Sequence, residues 1–381
     1  MRLALLLAAP FPLHQGSQVF VADQARALRR AGAEPVVVCY GASDGTPPEV
    51  EVVRAPARVT PRTLRSSASP AKLVADAALG RALLRAHRAN RFDAVLAHNS
   101  EAAAVALAMR RHLGVPVVYV VHTLLREELS AYGPRALGRA LDAAGGALER
   151  ALARRADATL ALCEDARAAL EPHARGRVTT IPPGLDPRPA PGFAACEAAC
   201  RRHGLTLGRF VLYAGNLDRY QDLDLLDAAA ARLPDAPVVA ATHDAAGARF
   251  AHLRAIEADA DEARALLHAC AVAVLPRRRR GGFPIKLLNY MEAARPIVAH
   301  AGVAEGLEHG GSGWLLPDGA GPEAWAEALA ALLADPRRGA TLGAGARARL
   351  EACHAWPDLA RATLERVARA SLDRVARAGA R

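Results

Sequence analysis

The sequence predicts an α/β protein made of two doubly wound parallel domains. Three observations carry this. Short, apolar, β-branched runs alternate with amphipathic helical patterns along the whole chain. The alternation restarts after a proline-rich break at Pro182–Pro191. One stretch, Leu275–Ala299 (LPRRRRGGFPIKLLNYMEAARPIVA), joins the end of a strand, a Gly-Gly turn, a helix and a second strand. At 381 residues the chain is long enough for two ordinary cores.

In the first half, MRLALLLAAP reads as a strand rather than a signal peptide, because the following Gly16 turn and helix need it. Ser17 is placed to cap the helix Gln18–Arg30, which Gly32 ends. Strands follow at Glu34–Cys39 and Val50–Arg54, and an arginine-rich helix at Pro70–Asn90. Then come a strand at Ala94–Ala97, a helix at Glu101–His112 and an apolar strand, Val115–Val121, ending at His122. Tyr132–Arg155 reads as one helix, Ala158–Leu162 as a strand, Glu164–Leu170 as a helix and Val178–Ile181 as a strand. Ligands of such sheets bind beyond the carboxyl ends of the strands, where Gly16 and His122 stand.

The second half opens with a strand at Phe210–Ala214, a turn at Gly215–Asp222 and a helix from Leu223. A strand at Pro237–Ala240, a helix at Asp261–Cys270 and a strand at Ala271–Leu275 lead into the central stretch. After its strand Pro296–Ala299 come a strand at Gly313–Leu316 and helices at Pro322–Ala334, Pro336–Cys353 and Pro357 to about Ala378. Gly281 and Gly282 either let backbone approach a ligand or form a plain loop. Lys286 opens the helix, where the dipole disfavours a cation; either it is solvated or it faces an anion such as phosphate.

Composition narrows the partners. The chain is 52% apolar, 23% charged and only 4% aromatic, with a net charge of +10. Lys72 and Lys286 are its only lysines, so arginine carries the charge. That balance favours anionic ligands or an anionic membrane surface. With few aromatics and no recognised binding motif, nucleic acid is not expected. Six scattered cysteines fit reduced thiols in a cytoplasmic protein, and no metal site is expected. Asp222-Leu223-Asp224 has the spelling of a metal motif but lies at a helix start. No apolar run reaches the ~20 residues that span a bilayer.

The run GGFPIKLLNYMEAARPIVA resembles the signature of retaining glycosyltransferases of family 4, which have the GT-B fold. The Gly16 turn, the strand ending in His122, the Pro182–Asp186 junction and the Gly215–Asp222 turn extend the resemblance over the chain. Gly281 and Asn289 stand where the family has glutamates, Ala294 where it has glycine, and Asn216 and Gln221 where it has an arginine and a lysine.

The resemblance implies two Rossmann-like domains facing across a cleft. An acceptor domain would span 1–186, a donor domain 187–355, and a helix, 356–381, would cross back to the first. It implies transfer of a sugar from a UDP- or GDP-linked donor to a glycan, lipid-linked or small-molecule acceptor, with retention, without metal and with no cofactor. The acceptor hydroxyl would attack from the leaving-group face, with phosphate oxygen taking its proton. Lys286, His122 and Arg219 would be the catalytic set. Gly16, Asn216, Gln221, Gly281, Gly282, Phe283, Pro284, Ile285 and Asn289 would hold the donor.

The residues leave choices. Arg219 is either a solvated turn residue or a cation, and His122 either a hydrogen-bonded loop residue or a donor contact. Glu127 and Glu128, read as loop residues, touch either acceptor hydroxyls or solvent, and Glu292 continues the Lys286–Asn289 face or is solvated. A degenerate GT-B binding protein and a GT-B nucleotide-sugar epimerase are the alternatives. The Lys72–Arg91 and Tyr132–Arg155 segments suggest peripheral association with the inner face of an anionic membrane, though arginine-rich coding produces the same pattern.

Overall fold

In the computed structural model, residues 1–12, 16–41, 49–60, 70–132 and 138–379 are described. The chain divides into two units. One comprises Met1–Gly184, Gly281–Phe283 and Trp356–Arg381; the other comprises Leu185–Arg280 and Pro284–Ala355.

The first unit holds β1 (Arg2–Pro10), α1 (Gly16–Arg30), β2 (Glu34–Tyr40), β3 (Glu51–Arg54), α2 (Pro70–Ala89), β4 (Ala94–His98), α3 (Asn99–Ala108), α4 (Arg110–Leu113), β5 (Val117–Val121), α5 (Leu125–Tyr132), α6 (Gly138–Arg155), β6 (Ala158–Ala161), α7 (Glu164–Leu170) and β7 (Val178–Thr180). Among the described residues its seven strands run parallel in the order β3-β2-β1-β4-β5-β6-β7. β1, β4 and β5 are buried along nearly their whole length, as strands covered on both faces must be. The strand order reverses between β1 and β4, so the crevice lies beyond Pro10 and His98.

The second unit holds α8 (Phe193–Arg202), β8 (Val211–Ala214), α9 (Leu223–Ala230), β9 (Val238–Thr242), β10 (Arg254–Glu257), α10 (Ala260–Ala269), β11 (Val272–Leu275), α11 (Lys286–Glu292), β12 (Ile297–His300), β13 (Trp314–Leu316), α12 (Pro322–Ala334) and α13 (Pro336–Cys353). Its six parallel strands lie in the order β10-β9-β8-β11-β12-β13. Val211, Tyr213, Leu226, Val274, Leu329 and the fully buried Trp325 form its core. Here the order reverses between β8 and β11, which places the Gly215–Asp222 turn and the segment 276–280 at the switch point.

The last helix, α14 (Trp356–Gly379), belongs to the first unit. Its Trp356 ring lies 5.6 Å from that of Phe20 on α1. Arg374 and Arg377 reach the fully buried Asp157 carboxylate at 3.4 and 3.5 Å, which also takes Arg110 at 2.6 Å and the Val117 amide at 3.0 Å. Three arginines and an amide supply what a buried carboxylate needs.

Several local expectations are corrected. Ser17 lies inside the first turn of α1 rather than capping it. The helix expected at Glu101–His112 starts at Asn99 and breaks at Met109, and Gly114, at φ +69°, ends the second piece. Glu127 and Glu128 lie in α5, not in a loop. Of the helix expected at Tyr132–Arg155, residues 133–137 lie outside the described residues, and α6 covers Gly138–Arg155. Helix α8, close behind the proline-rich break, and strand β10 are additions. β10 is an edge strand with only Ile256 buried, so it lacks an apolar run.

Candidate active site

In the second unit, the site is built where β8 and β11 end. β8 delivers Tyr213 and then Gly215, whose φ of +152° no ordinary side chain favours. A Cβ at Gly215 would lie 2.4 Å from Lys286 Nζ. The glycine therefore makes room for the lysine tip.

Lys286 is the first residue of α11 and half-buried, with its ammonium folded over the β8 end. Nζ donates to Tyr213 Oη at 2.5 Å and lies 4.3 Å from the Tyr213 ring centroid. Tyr213 Oη in turn donates to the Asn216 carbonyl at 2.6 Å. Burial pushes the Lys286 ammonium down, the nearby Arg277 charge pushes the same way, and Asp218 opposes them; the pKa falls to about 7. Tyr290, two residues before the end of α11, clamps the strand end: its hydroxyl accepts from Ala214 N at 2.9 Å and donates to Ala214 O at 3.1 Å.

α11 has only seven residues, so its dipole is small and the local field comes mainly from side chains. Asn289 shares the Lys286 face and is half-buried. Glu292 is not solvated. It is buried and pairs with Arg264 at 2.5 Å and His268 at 3.3 Å on α10. Burial pushes its carboxyl up, but hydrogen bonds from His268 and Arg264 prevail and hold it at about 2. Glu292 thus ties α11 to α10 rather than extending the ligand face.

The turn after β8 is held by its own amides. Gln221 is buried and donates from Nε2 to Asn216 Oδ1 at 2.8 Å; Asn216 Nδ2 donates to Asp218 at 2.6 Å. Gln221 Oε1 is buried without a hydrogen-bond partner among the described residues. Arg219 is exposed on the short 3-10 turn Arg219–Gln221. Among the expected donor residues, Asn216, Gln221 and Asn289 lie on the β8 turn and α11, with Pro284 and Ile285 just before that helix, and Lys286 of the expected catalytic set opens it.

Gly281, Gly282 and Phe283 group with the first unit. Gly281 has φ +81°, and its carbonyl accepts the Leu124 amide at 2.8 Å. Gly282 forms an antiparallel bridge with Thr123. A Cβ on Gly281 would lie 2.9 Å from Glu127 Cγ, so the Glu127 side chain fills the space there.

Also in the first unit, His122 follows β5 and is buried. Its Nε2 lies 2.9 Å from Nδ1 of the fully buried His98, so one ring donates to the other. Its amide donates to Asn99 Oδ1 at 3.3 Å, and Asn99 holds a left-handed φ of +70°. The Phe20 ring meets both imidazoles edge-on, 6.0 Å from His98 and 4.8 Å from His122. Burial lowers the His122 pKa to about 3 and, with the His122 ring beside it, pushes His98 well down. Both are neutral near pH 7, and with its pKa at about 3 the His122 ring is a weak proton acceptor suited to hydrogen bonding. Gly16 starts α1, beyond the end of β1.

Sequence reasoning gave no role to His98, Asn99, Tyr213, Tyr290 or Arg277. A strand read one residue short hid His98. The tyrosines carry no signal without knowing which strand end they meet. Arg277 was visible only as one of four consecutive arginines.

Residues 14–188 match the profile described as Glycosyltransferase Family 4, and residues 208–335 that described as Glycosyl transferases group 1. A relative from Kineococcus radiotolerans, named D-inositol 3-phosphate glycosyltransferase, is 30% identical, with 96% of this chain and 94% of the relative covered. The chain belongs to glycosyltransferase family 4. Sucrose-phosphate synthase from Thermosynechococcus elongatus superposes with a TM-score of 0.79 at 18% identity, covering 96% of this chain and 97% of that one. Anabaena HepE, solved in complex with UDP-glucose, gives 0.71 at 17%, covering 97% and 99%. The fold is GT-B, and this family 4 chain is a glycosyltransferase. Among its described residues no helix is long and apolar enough to cross a membrane.

Proposed function

We propose that this glycosyltransferase takes a UDP- or GDP-linked sugar and transfers it with retention, without a metal ion, to a hydroxyl of a glycan, lipid-linked or small-molecule acceptor. The observation that carries the donor reading is Lys286, whose ammonium rests against Gly215 and Tyr213 at the switch point of the second sheet. HepE, a protein of the same fold, is described in complex with UDP-glucose, which supports a nucleotide sugar. Breaking the sugar–phosphate bond leaves new negative charge on a diphosphate, and a preorganised cation stabilises it. The neutral His122 is suited to hydrogen bonding, and a phosphate oxygen takes the acceptor proton. The Kineococcus relative's name makes a phosphorylated polyol one acceptor to try.

Lys286→Ala tests the reading. Losing one preorganised donor to transition-state charge costs on the order of 3 kcal/mol, or about 10²–10³ in kcat. Lys286→Ala with unchanged turnover overturns the assignment. Transfer measured in excess chelator tests metal independence. No observation favours the epimerase or the non-catalytic reading.

We also propose cytoplasmic residence with peripheral membrane contact through α2. Its outward side exposes Leu73 and Val74 beside Arg81, Arg85 and Arg88. Flotation with anionic but not neutral vesicles at low salt supports this; no difference between the two removes it.

A further inference from the structure

The β8 turn offers the donor phosphates little charge. Asn216 and Gln221 are neutral and bonded to each other, and Arg219 is exposed. The other loop at the switch point leaves β11 as Pro276-Arg277-Arg278-Arg279-Arg280. These four arginines are not equivalent. Arg278 pairs with Asp222 at 3.1 Å, and Arg280 pairs with Asp318. Arg277 instead turns toward the β8 side. Its guanidinium lies 5.8 Å from the Tyr220 ring centroid, and its Nε and Nη2 donate to the Arg279 carbonyl at 3.2 and 2.9 Å. Its charge is among those that Lys286 feels.

Lys286 Nζ reaches Tyr213, whose hydroxyl donates to the Asn216 carbonyl, and Asn216 Nδ2 lies 3.5 Å from the hydroxyl of Tyr220, the ring that Arg277 covers; the two cations thus stand on one run of contacts where the strand order reverses. Asp218 pulls the Lys286 pKa the other way; it is exposed and accepts from Asn216 Nδ2. An anion between Arg277 and Lys286 would offset the Arg277 charge that Lys286 feels and gain charge-assisted hydrogen bonds from both. A guanidinium fixed in plane by a tyrosine face and a carbonyl is suited to paired phosphate oxygens.

We propose that Arg277 is the second cation of the donor-diphosphate site, positioned by Tyr220 and the Arg279 carbonyl. This rests on the donor reading above. It locates in the loop after β11 the charge that the turn after β8 lacks.

Calorimetric titration with UDP, GDP and the matching monophosphates tests it, using the wild type, Arg277→Ala, Arg277→Lys and, as a control, Arg280→Ala. Arg277→Ala should weaken diphosphate binding at least about tenfold while leaving monophosphate binding much less affected. Arg277→Lys should restore part of the loss, and Arg280→Ala should match the wild type. The pH at which nucleotide-sugar affinity falls should also move upward in Arg277→Ala, because Lys286 has lost a repelling neighbour. A folded Arg277→Ala that binds diphosphate like the wild type, or keeps the same pH midpoint, overturns the role of Arg277 and leaves the donor reading standing. A wild type that binds neither UDP nor GDP overturns both.

Discussion

The depressed Lys286 pKa makes donor binding pH-dependent, with a definite sign. In the free protein, burial and Arg277 bring the ammonium from 10.5 to about 7. A bound diphosphate favours the charged form and drives the pKa back up. Binding therefore takes up a proton once the pH exceeds about 7. A nucleotide sugar's own two phosphate charges do not titrate near neutrality, so the lysine sets the profile. The competent fraction is roughly nine tenths at pH 6, one tenth at pH 8 and one hundredth at pH 9, and apparent Kd scales inversely with it. Affinity should be flat below neutrality, about tenfold weaker at pH 8 than at pH 6, and still falling at pH 9 until the bound-state pKa is passed. Calorimetry in buffers of different ionisation enthalpy measures both Kd and proton uptake. Lys286→Arg, always charged, should give a flat profile. A wild-type Kd that stays constant from pH 6 to 9, or a slope that survives in Lys286→Arg, refutes the reasoning.

Other substitutions probe the same framework. Gly215→Ala places a Cβ 2.4 Å from Lys286 Nζ at a φ of +152°, so turnover should fall at least about tenfold while circular dichroism shows the fold retained. Glu292→Ala leaves Arg264 and His268 without their buried carboxylate and should cost about 3–5 kcal/mol in denaturant unfolding. The Glu292 carboxyl lies at about 2 instead of 4.5, so its contribution is complete above about pH 4.5 and fades as the pH falls toward 2; the mutant's deficit should shrink in acid. Ala294 holds a left-handed φ of +53°, so Ala294→Gly should raise stability by about 1 kcal/mol, read from the thermal midpoint.

Much of the fold was legible because buried parallel strands write themselves as apolar runs. Val117–Val121 and Val272–Leu275 lie inside the runs that marked them. β10 escaped because an edge strand needs only one buried residue, and α8 because prolines drew attention to the break before it. Lys286 stood out as one of two lysines, at a helix start where a cation is disfavoured. What it touches did not, since Tyr213 lies 73 positions away and only the β8–β11 pairing joins them. The His98–His122 pair likewise exists through the β4–β5 register. Glu292 shows the reverse failure: helical spacing placed it on the ligand face, and α10 claimed it instead. Ala294 stands where the resemblance expects glycine, and the backbone there keeps the left-handed turn all the same.

The central claim is nucleotide-sugar chemistry at Lys286, and nucleoside diphosphate release tests it most directly. Wild type and Lys286→Ala would be incubated with UDP- and GDP-sugars, with and without chelator, in the presence of a panel of hydroxylated acceptors. The account predicts release from at least one donor, insensitive to chelator and reduced about 10²–10³-fold in the variant. Release that is equal in wild type and Lys286→Ala, or that requires a divalent metal, contradicts it.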